Sequence, residues 1–143
     1  MSDPDIILVD DDEDIRLSLS QTLEMAGHEV LAFARAERAV ERIGPNFGGI
    51  VVSDIKMPGM DGLEFLDAVL RIDMTIPVVM ITGHGDVPLA VEALGKGAFD
   101  FIEKPFAKDR LTSAIERGLQ HRSMVLELRD LRETVTVDSP LDS

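Results

Sequence analysis

The 143-residue sequence contains no cysteine, tryptophan or tyrosine. Without cysteine, a disulfide framework, a zinc–thiolate site and a cysteine nucleophile are all excluded. Six phenylalanines supply all the aromatic side chains, which argues against the stacking platforms that bind single-stranded bases. The three histidines, His28, His84 and His121, are too few and too widely spaced to indicate a multi-histidine metal site.

Long apolar segments are also absent. The longest runs, such as residues 76–81, are far shorter than the roughly 20 residues that a membrane-spanning helix needs. The N-terminal residues 1–5 are acidic and have no apolar core of the kind found in secretory signals. We therefore expect a cytoplasmic protein that does not associate with a membrane.

Positive charge is scarce, since 14 Lys and Arg face 27 Asp and Glu, for a net charge of -13. Attraction to a phosphate backbone needs the opposite sign, so we expect no direct nucleic-acid binding by this chain. An acidic chain suits a protein that gathers carboxylates around a divalent cation. The charge is equally compatible with a role in solubility alone.

Five short apolar runs alternate with five amphipathic stretches along the chain. The runs lie at residues 6–9, 30–33, 50–53, 77–81 and 99–103. This alternation predicts a parallel sheet with helices on both faces, which is a doubly wound α/β domain. The run at 30–33 is the weakest, and we place it at an edge of the sheet.

Several residues mark the predicted helix boundaries. Gly27 follows the first helical pattern and predicts its C-terminal cap. The second pattern extends over residues 36–43. Asp86 is a candidate cap for the fourth helix, with Pro88 in the first turn, where a missing amide hydrogen costs nothing.

Chemically active side chains follow four of the five predicted strands, at the end where ligands bind in such sheets. They are Asp10, Asp11 and Asp12 after the first strand, Asp54 at the end of the third, Thr82 and Gly83 after the fourth, and Lys104 after the fifth. Each has a simpler explanation, as a helix cap, a turn residue, a strand end or a surface lysine. Their conjunction favours a site for a divalent metal and a phosphoryl group.

The inventory of residues also indicates a reaction. The chain has no Walker loop, which excludes nucleotide hydrolysis by that route. A carboxylate can act as a nucleophile toward phosphorus and form an aspartyl phosphate. Positioning and charge neutralisation dominate the catalysis of such a transfer, and Lys104 with a metal ion can supply both.

Four segments of the sequence resemble the motifs of bacterial two-component response-regulator receiver domains. They read VDDD at 9–12, SDIKMPGMDG at 53–62, ITGH at 81–84 and FIEKPF at 101–106. The resemblance covers residues 5 to about 120 and implies a flavodoxin-like five-stranded sheet of order 2-1-3-4-5. The segments are similar to those of the nitrogen-regulatory class, whose members activate sigma-54 polymerase.

The resemblance assigns a role to each of the acidic residues at the predicted strand ends. Asp54 matches the residue that accepts a phosphoryl group from a phosphohistidine of a sensor histidine kinase. Asp11, Asp54 and the backbone carbonyl of Lys56 match the ligands of Mg²⁺ or Mn²⁺, and Asp10 matches a residue that acts through water. Asp12 is a possible further ligand. We therefore expect a phosphoryl acceptor that promotes its own phosphorylation and dephosphorylation, and not a classical enzyme.

Further positions match the residues that respond to phosphorylation in this family. Thr82 matches the switch hydroxyl, Phe101 the switch aromatic and Lys104 the lysine that forms the salt bridge. Gly83 lies where its amide can contact the phosphoryl group. The resemblance also implies a cis peptide bond between Lys104 and Pro105.

Two other functions compete with this interpretation. Magnesium-dependent phosphatases of the haloacid-dehalogenase type also phosphorylate an aspartate at a strand end, but they use Asp-x-Asp. The second position after Asp54 is Lys56, so the general acid of that motif is missing. A phosphorylation-independent interaction module usually shows a lost acid or lysine, and none is lost here.

The C-terminal part of the chain has a separate apolar pattern. Leu111, Ile115 and Leu119 pack the fifth helix on the sheet, and this stripe ends at Arg122. A second stripe with 4-3-4 spacing consists of Met124, Leu128, Leu131 and Val135. This heptad-like seam predicts a two-helix coiled coil and a homodimer. Because it spans barely two heptads, an unpaired amphipathic tail remains an alternative.

These patterns divide the chain into two parts. We expect a receiver domain at 4–121 and a helical or coiled-coil linker at 122–143 that leads toward an ATPase and DNA-binding output domain absent from this chain.

Overall fold

Five strands and five α-helices alternate along the chain. The computed structural model describes residues 4–138, apart from the side chains of His84 and of residues 134–138. The strands are β1 (Ile6–Val9), β2 (Val30–Phe33), β3 (Ile50–Asp54), β4 (Val78–Thr82) and β5 (Asp100–Glu103). The helices are α1 (Glu13–Met25), α2 (Ala36–Val40), α3 (Gly62–Ile72), α4 (Val87–Lys96) and α5 (Lys108–Asp138). A single 3₁₀ turn, His84–Asp86, precedes α4.

The strands form one parallel sheet in the order β2-β1-β3-β4-β5. This order confirms the doubly wound α/β fold and places β2 at an edge, as the sequence predicts. All residues of β1 and β4 are buried, and β3 is buried up to Asp54. Their continuous apolar runs are therefore those of central strands that helices cover on both faces.

The sheet separates two hydrophobic cores. One core lies between the sheet and α2, α3 and α4, and Phe65 and Val69 are its fully buried centre. The other core lies between the sheet and α1 and α5, where Leu23, Leu111 and Ile115 are buried. Each face of the central strands thus contributes alternate residues to a different core.

Local signals account for most helix ends. Gly27 follows α1 with a φ of 96°, which a residue with a side chain rarely adopts. Asp61 and Glu64 form a capping box at the start of α3. Pro88 lies in the first turn of α4, as predicted.

Two predictions about helices are wrong. α2 contains only five residues, because the amides of Arg42 and Ile43 bond to carbonyls three residues earlier and tighten the chain into turns. The side chain of Asp86 makes no capping hydrogen bond to α4. It forms an ion pair with Lys56 instead, with Nζ 3.0 Å from Oδ1.

α5 is one helix of 31 residues. The predicted domain boundary at residue 121 falls inside it, and side chains beyond that point still contact the domain. Over residues 4–138, no helix combines the length and apolar character needed to cross a membrane.

Candidate functional site

The side chains predicted from the strand ends meet at one edge of the sheet. Asp10 directly follows β1, and Asp54 ends β3 beside it. Thr82 ends the neighbouring strand β4, and its carbonyl accepts a hydrogen bond of 2.8 Å from the backbone amide of Lys104. The parallel order of the strands therefore gathers the predicted acids, hydroxyl and ammonium group.

Asp10, Asp11 and Asp54 form a compact carboxylate cluster. One carboxylate oxygen from each residue lies within 4.8 Å of the other two. Asp10 is buried, Asp54 is half-buried and Asp11 is exposed. The cluster is therefore closed on the side of Asp10 and open to solvent on the side of Asp11.

Asp12 has a different position. Its Oδ1 accepts hydrogen bonds from the amides of Asp14 and Ile15, at 2.9 and 3.2 Å, and caps α1. The predicted cluster of three adjacent acids is therefore divided between a site and a helix cap, and the suggested metal role of Asp12 gains no support from its contacts.

An unsatisfied oxygen shows that the cluster fits a divalent cation. Asp10 Oδ1 accepts the amide of Asp12 at 2.9 Å, but its buried Oδ2 has no hydrogen-bond partner among the described residues. Lys104 Nζ lies 3.9 Å away, beyond hydrogen-bond length. A buried carboxylate oxygen without a partner is costly. Mg²⁺ prefers such hard oxygen ligands, and two more carboxylates lie within reach.

The pKa values of the buried acids reflect the same crowding. Burial raises the pKa of Asp54, against the opposing effects of the Lys104 charge and the Ile55 amide, which donates to Asp54 Oδ1 at 2.8 Å. Burial also raises the pKa of Asp10, and the nearby charge of Asp54 adds to that effect. Both carboxylates therefore gain from a neighbouring cation.

Lys104 is the cation that the described residues place in this cluster. Its Nζ lies 3.8 Å from Asp54 Oδ2 and 3.9 Å from Asp10 Oδ2. The peptide bond that joins Lys104 to Pro105 is cis, as the family resemblance implies. The ammonium group thus stands between the two carboxylates without a close hydrogen bond to either, and can approach an added anion.

The two candidate switch residues lie on adjacent strands. Thr82 is fully buried, and its hydroxyl donates to the carbonyl of Gly83 at 3.2 Å. Phe101 is half-buried and packs against the core formed with α3 and α4. The hydroxyl bond of Thr82 is long for an O–H donor, and the ring of Phe101 is only partly covered.

Gly62 allows the loop below Asp54 to close. Its amide donates to the carbonyl of Ile55 at 2.7 Å, and a Cβ at Gly62 would lie 2.6 Å from the carbonyl oxygen of Asp54. Only glycine fits this approach, so the sequence after Asp54 is constrained by backbone packing as well as by chemistry.

The sequence patterns did not predict the contacts that two arginines make in the fold. Arg16 Nη1 donates to the carbonyl of Asp10 at 2.9 Å and supports the cluster from α1. Arg122, at which the predicted apolar stripe ends, is fully buried beside Asp73. No periodicity signals these contacts: Arg16 reaches back six residues across the β1–α1 junction, and Arg122 pairs with a residue far away in sequence.

The predicted dimer seam lies on the surface of α5. Met124, Leu128 and Leu131 are 62, 51 and 56% exposed. The side chain of Val135, the fourth member, lies outside the described residues. An exposed apolar stripe agrees with the predicted seam, and pairing of two chains remains a prediction.

With this geometry in view, comparison with known proteins defines the class. Residues 6–116 match the family model for the response regulator receiver domain. The chain belongs to this family of two-component response regulators.

Individual relatives agree with that assignment. The chain is 47% identical over 136 residues to the C4-dicarboxylate transport transcriptional regulatory protein DctD of Rhizobium meliloti, covering 95% of this chain and 30% of that protein. This confirms the similarity to dicarboxylate-transport regulators that the sequence motifs also favour within the nitrogen-regulatory class. The chain thus spans less than a third of the length of this relative.

Solved structures match the fold closely. The crystal structure of FixJ-N superposes with a TM-score of 0.75 at 44% identity, over 85% of this chain and 97% of that one. The structure of NtrX from Brucella abortus in complex with ATP gives a TM-score of 0.78 at 40% identity, over 90% of this chain and 29% of that one.

Proposed function

We propose that Asp54 accepts a phosphoryl group from a phosphohistidine of a sensor histidine kinase, with Mg²⁺ or Mn²⁺ bound beside it. The observation that carries this proposal is the carboxylate cluster, in which the buried Asp10 Oδ2 has no hydrogen-bond partner in the described part of the chain and Lys104 Nζ lies 3.8 Å from Asp54 Oδ2. Such an arrangement binds a cation and then an anion, which is what phosphoryl transfer to a carboxylate requires.

The transfer exchanges one bond to phosphorus for another. A carboxylate oxygen of Asp54 attacks the phosphorus atom, the bond to the histidine nitrogen breaks, and that nitrogen keeps the electron pair. The phosphohistidine ring takes up one proton from water, so that it leaves as neutral imidazole. Asp10, Asp11, Asp54 and the backbone carbonyl of Lys56 would hold the metal ion, with Asp10 acting through water. The bound ion supplies positive charge next to the phosphoryl oxygens.

Other residues of this chain complete the site. Lys104 pairs with a phosphoryl oxygen, since its ammonium group already faces Asp54 at 3.8 Å. The hydroxyl of Thr82 turns from the carbonyl of Gly83 toward the phosphoryl group, and the Gly83 amide binds a second oxygen. Water completes the cycle by hydrolysing the aspartyl phosphate.

Chemical phosphorylation tests the proposal. Incubation with acetyl phosphate and Mg²⁺ should add one phosphoryl group to the intact mass of the protein, and chelation of the metal should prevent this. Asp54→Asn keeps the shape of the side chain and should abolish labelling. Asp12→Asn is the matched control, because asparagine caps a helix about as well as aspartate, and it should label like wild type.

The outcome separates the competing functions. Labelling of Asp54→Asn to wild-type extent would show that Asp54 is not the acceptor. Rapid turnover of acetyl phosphate with no stable phosphorylated species would favour a phosphatase. Complete failure to label in the presence of metal would favour an interaction module without phosphorylation chemistry.

We further propose that phosphorylation changes how two copies of the chain pair through α5. The curated relatives are longer, so this chain would act in the cytoplasm as the regulatory part of a sigma-54 activator with an ATPase and DNA-binding output domain. The proposed dimer seam of Met124, Leu128, Leu131 and Val135 lies on the second half of α5, and we expect it to lie between the receiver domain and such an output domain.

A further inference from the structure

Arg122 is an arginine with no solvent-exposed surface. Its Nε donates to the carbonyl of Phe47 at 2.7 Å, and its Nη2 donates to the carbonyl of Pro45 at 2.7 Å. Its Nη1 donates to Thr75 Oγ1 at 2.8 Å. All three nitrogens thus bind the two loops that precede β3 and β4, so this guanidinium joins α5 to the end of the sheet away from the carboxylate cluster.

A second arginine of α5 binds beside the first. Arg129 forms a two-pronged ion pair with Asp73, in which its Nη1 contacts Oδ2 and its Nη2 lies 2.9 Å from Oδ1. Arg122 Nη1 lies 3.5 Å from the same carboxylate. The two arginines are seven residues apart, which is about two helical turns, so both lie on one face of α5.

Release of Arg129 from the domain would leave fewer polar groups without partners than release of Arg122. Asp73 is only 6% exposed, and its Oδ1 also accepts the amide and hydroxyl of Thr75 at 2.9 and 2.6 Å. If Arg129 leaves, Asp73 keeps these bonds and the nearby charge of Arg122. If Arg122 leaves, the Phe47 carbonyl loses this donor, the Pro45 carbonyl keeps only a long contact of 3.5 Å with Arg129 Nη1, and the guanidinium of Arg122 must be rehydrated. Arg129 is also 39% exposed, so water can replace its contacts.

Between Arg122 and Arg129, α5 makes a further contact with the domain. A Cβ at Gly48 would lie 3.9 Å from Leu126 Cδ1, so Leu126 covers the loop before β3. Met124, Leu128 and Leu131 fall on the opposite side of the helix, at about 100° per residue. The attachment of α5 to the domain therefore determines the direction in which the exposed stripe points.

We propose that Arg122, Asp73 and Arg129 form a clamp that fixes the second half of α5 on the receiver domain, with Arg122 as the permanent anchor and Arg129 as the releasable latch. Closed, the clamp makes the domain and the helix one rigid body as far as Arg129. Opened at Arg129, it lets the helix pivot about Arg122. The clamp uses none of the residues of the phosphorylation site and stands independently of that proposal.

Spin-label distances in the full chain test the clamp directly. Because the chain has no cysteine, Met25→Cys and Glu127→Cys place two labels, one on exposed α1 and one on α5, without competing sites. Dilution with unlabelled chain removes distances between copies. The clamp predicts a narrow distance distribution for the otherwise unmodified chain, and a broader, shifted one after Arg129→Gln.

Arg132→Gln is the matched control, since it removes the same charge from an exposed position one turn of α5 further on. It should leave the distribution narrow. Equal distributions for Arg129→Gln and Arg132→Gln would overturn the latch. In an Asp73→Asn chain, Arg129→Gln should add no further broadening, and additional broadening there would overturn the pairing of Arg129 with Asp73.

Thermal unfolding tests the anchor separately. Arg122→Lys keeps the charge but loses the planar set of donors, and should lower the Tm by several degrees more than Arg129→Lys. Equal Tm values for these two variants would contradict the division into anchor and latch. Labelling of Asp54 by acetyl phosphate in every variant reports on the phosphorylation site, so failure of the clamp and failure of the proposed function give different results.

Discussion

Three adjacent aspartates show how position decides the role of identical side chains. Asp10 directly follows the buried strand β1 and has an oxygen without a hydrogen-bond partner among the described residues, Asp11 is exposed beside it, and Asp12 caps α1. The residue at the strand end faces the sheet edge, and the residue at the helix start faces the free amides of the first turn. Two members of the carboxylate cluster and one helix cap thus lie within three consecutive residues.

Mg²⁺ affinity should fall when a metal ligand is substituted but not when the neighbouring Lys104 is substituted. Asp11→Asn removes a charged ligand and should weaken Mg²⁺ binding by more than about tenfold. Lys104→Ala removes no metal ligand and should leave the Mg²⁺ affinity largely intact, although the variant should respond poorly to phosphorylation. Isothermal titration calorimetry measures both, with Asp12→Asn as the control. Equal losses in Asp11→Asn and Asp12→Asn would contradict the assigned ligands.

Asp73 should make the stability of the domain depend on pH. The side-chain hydrogen bonds from Arg129, together with those from Thr75, hold the pKa of Asp73 well below its usual range. Its ionised form therefore stabilises the fold above the unfolded pKa of about 3.9. That stability is lost as the pH falls below this value toward the folded pKa.

Urea unfolding of wild type and Asp73→Asn checks this expectation. The difference in unfolding free energy should be roughly 2–3 kcal/mol at neutral pH and should narrow below about pH 4. Asp67→Asn is a control on the same helix, since its exposed ion pair with Lys96 contributes little. A difference that stays constant down to pH 2 would contradict the role of Asp73.

The residues that chemistry selects were predictable, and those that packing selects were not. Asp54 and Lys104 stand directly at strand ends, where the fold class itself locates ligands. Arg122 interrupts an apolar stripe, and charged residues are almost never fully buried unless paired. Its partner Asp73 lies 49 positions away in sequence, so a local pattern carries no information about the pair.

The sequence predicts the strands of the sheet better than it predicts the ends of the helices. The central strands β1, β3 and β4 are buried on both faces, so each leaves an uninterrupted apolar run. The end of α2 depends on a turn that buries Ile43 without helical geometry, and an apolar pattern does not distinguish the two. Asp86 likewise exchanges a local cap for a tertiary ion pair with Lys56.

The segment from Gly83 to Phe106 should change its dynamics when Asp54 is modified. Movement of the Thr82 hydroxyl toward a phosphoryl group should free space that the half-buried ring of Phe101, on the neighbouring strand, can enter. Burial of that ring favours its inward position, and the modified state biases the equilibrium by its differential affinity. α4 and β5 should therefore repack together.

Amide hydrogen exchange with and without beryllofluoride measures this response. Protection should change in residues 83–106, while β1 and α1 keep their exchange rates. In Asp54→Asn, beryllofluoride should have no effect. Unchanged protection in 83–106 of the wild-type chain would exclude the coupled movement of Thr82 and Phe101.

For the whole molecule, α5 has two faces with different tasks. One face carries Leu111, Ile115 and Arg122 and is buried against the domain. The other carries the exposed stripe of Met124, Leu128 and Leu131. The helix can therefore bind a second copy without releasing its own domain.

Dimerisation should depend on the exposed stripe and not on the stability of the domain. Truncation after residue 121 would also remove the buried Arg122, so substitution is the cleaner test. Leu128→Gln with Leu131→Gln should convert a dimer to a monomer in sedimentation equilibrium at tens of micromolar, while the domain stays folded, because both side chains are exposed in the single chain. Leu17→Gln with Met74→Gln, which changes two apolar residues elsewhere that are 54 and 79% exposed, should remain dimeric. If the unsubstituted chain sediments as a monomer both with and without beryllofluoride, the stripe does not pair two copies.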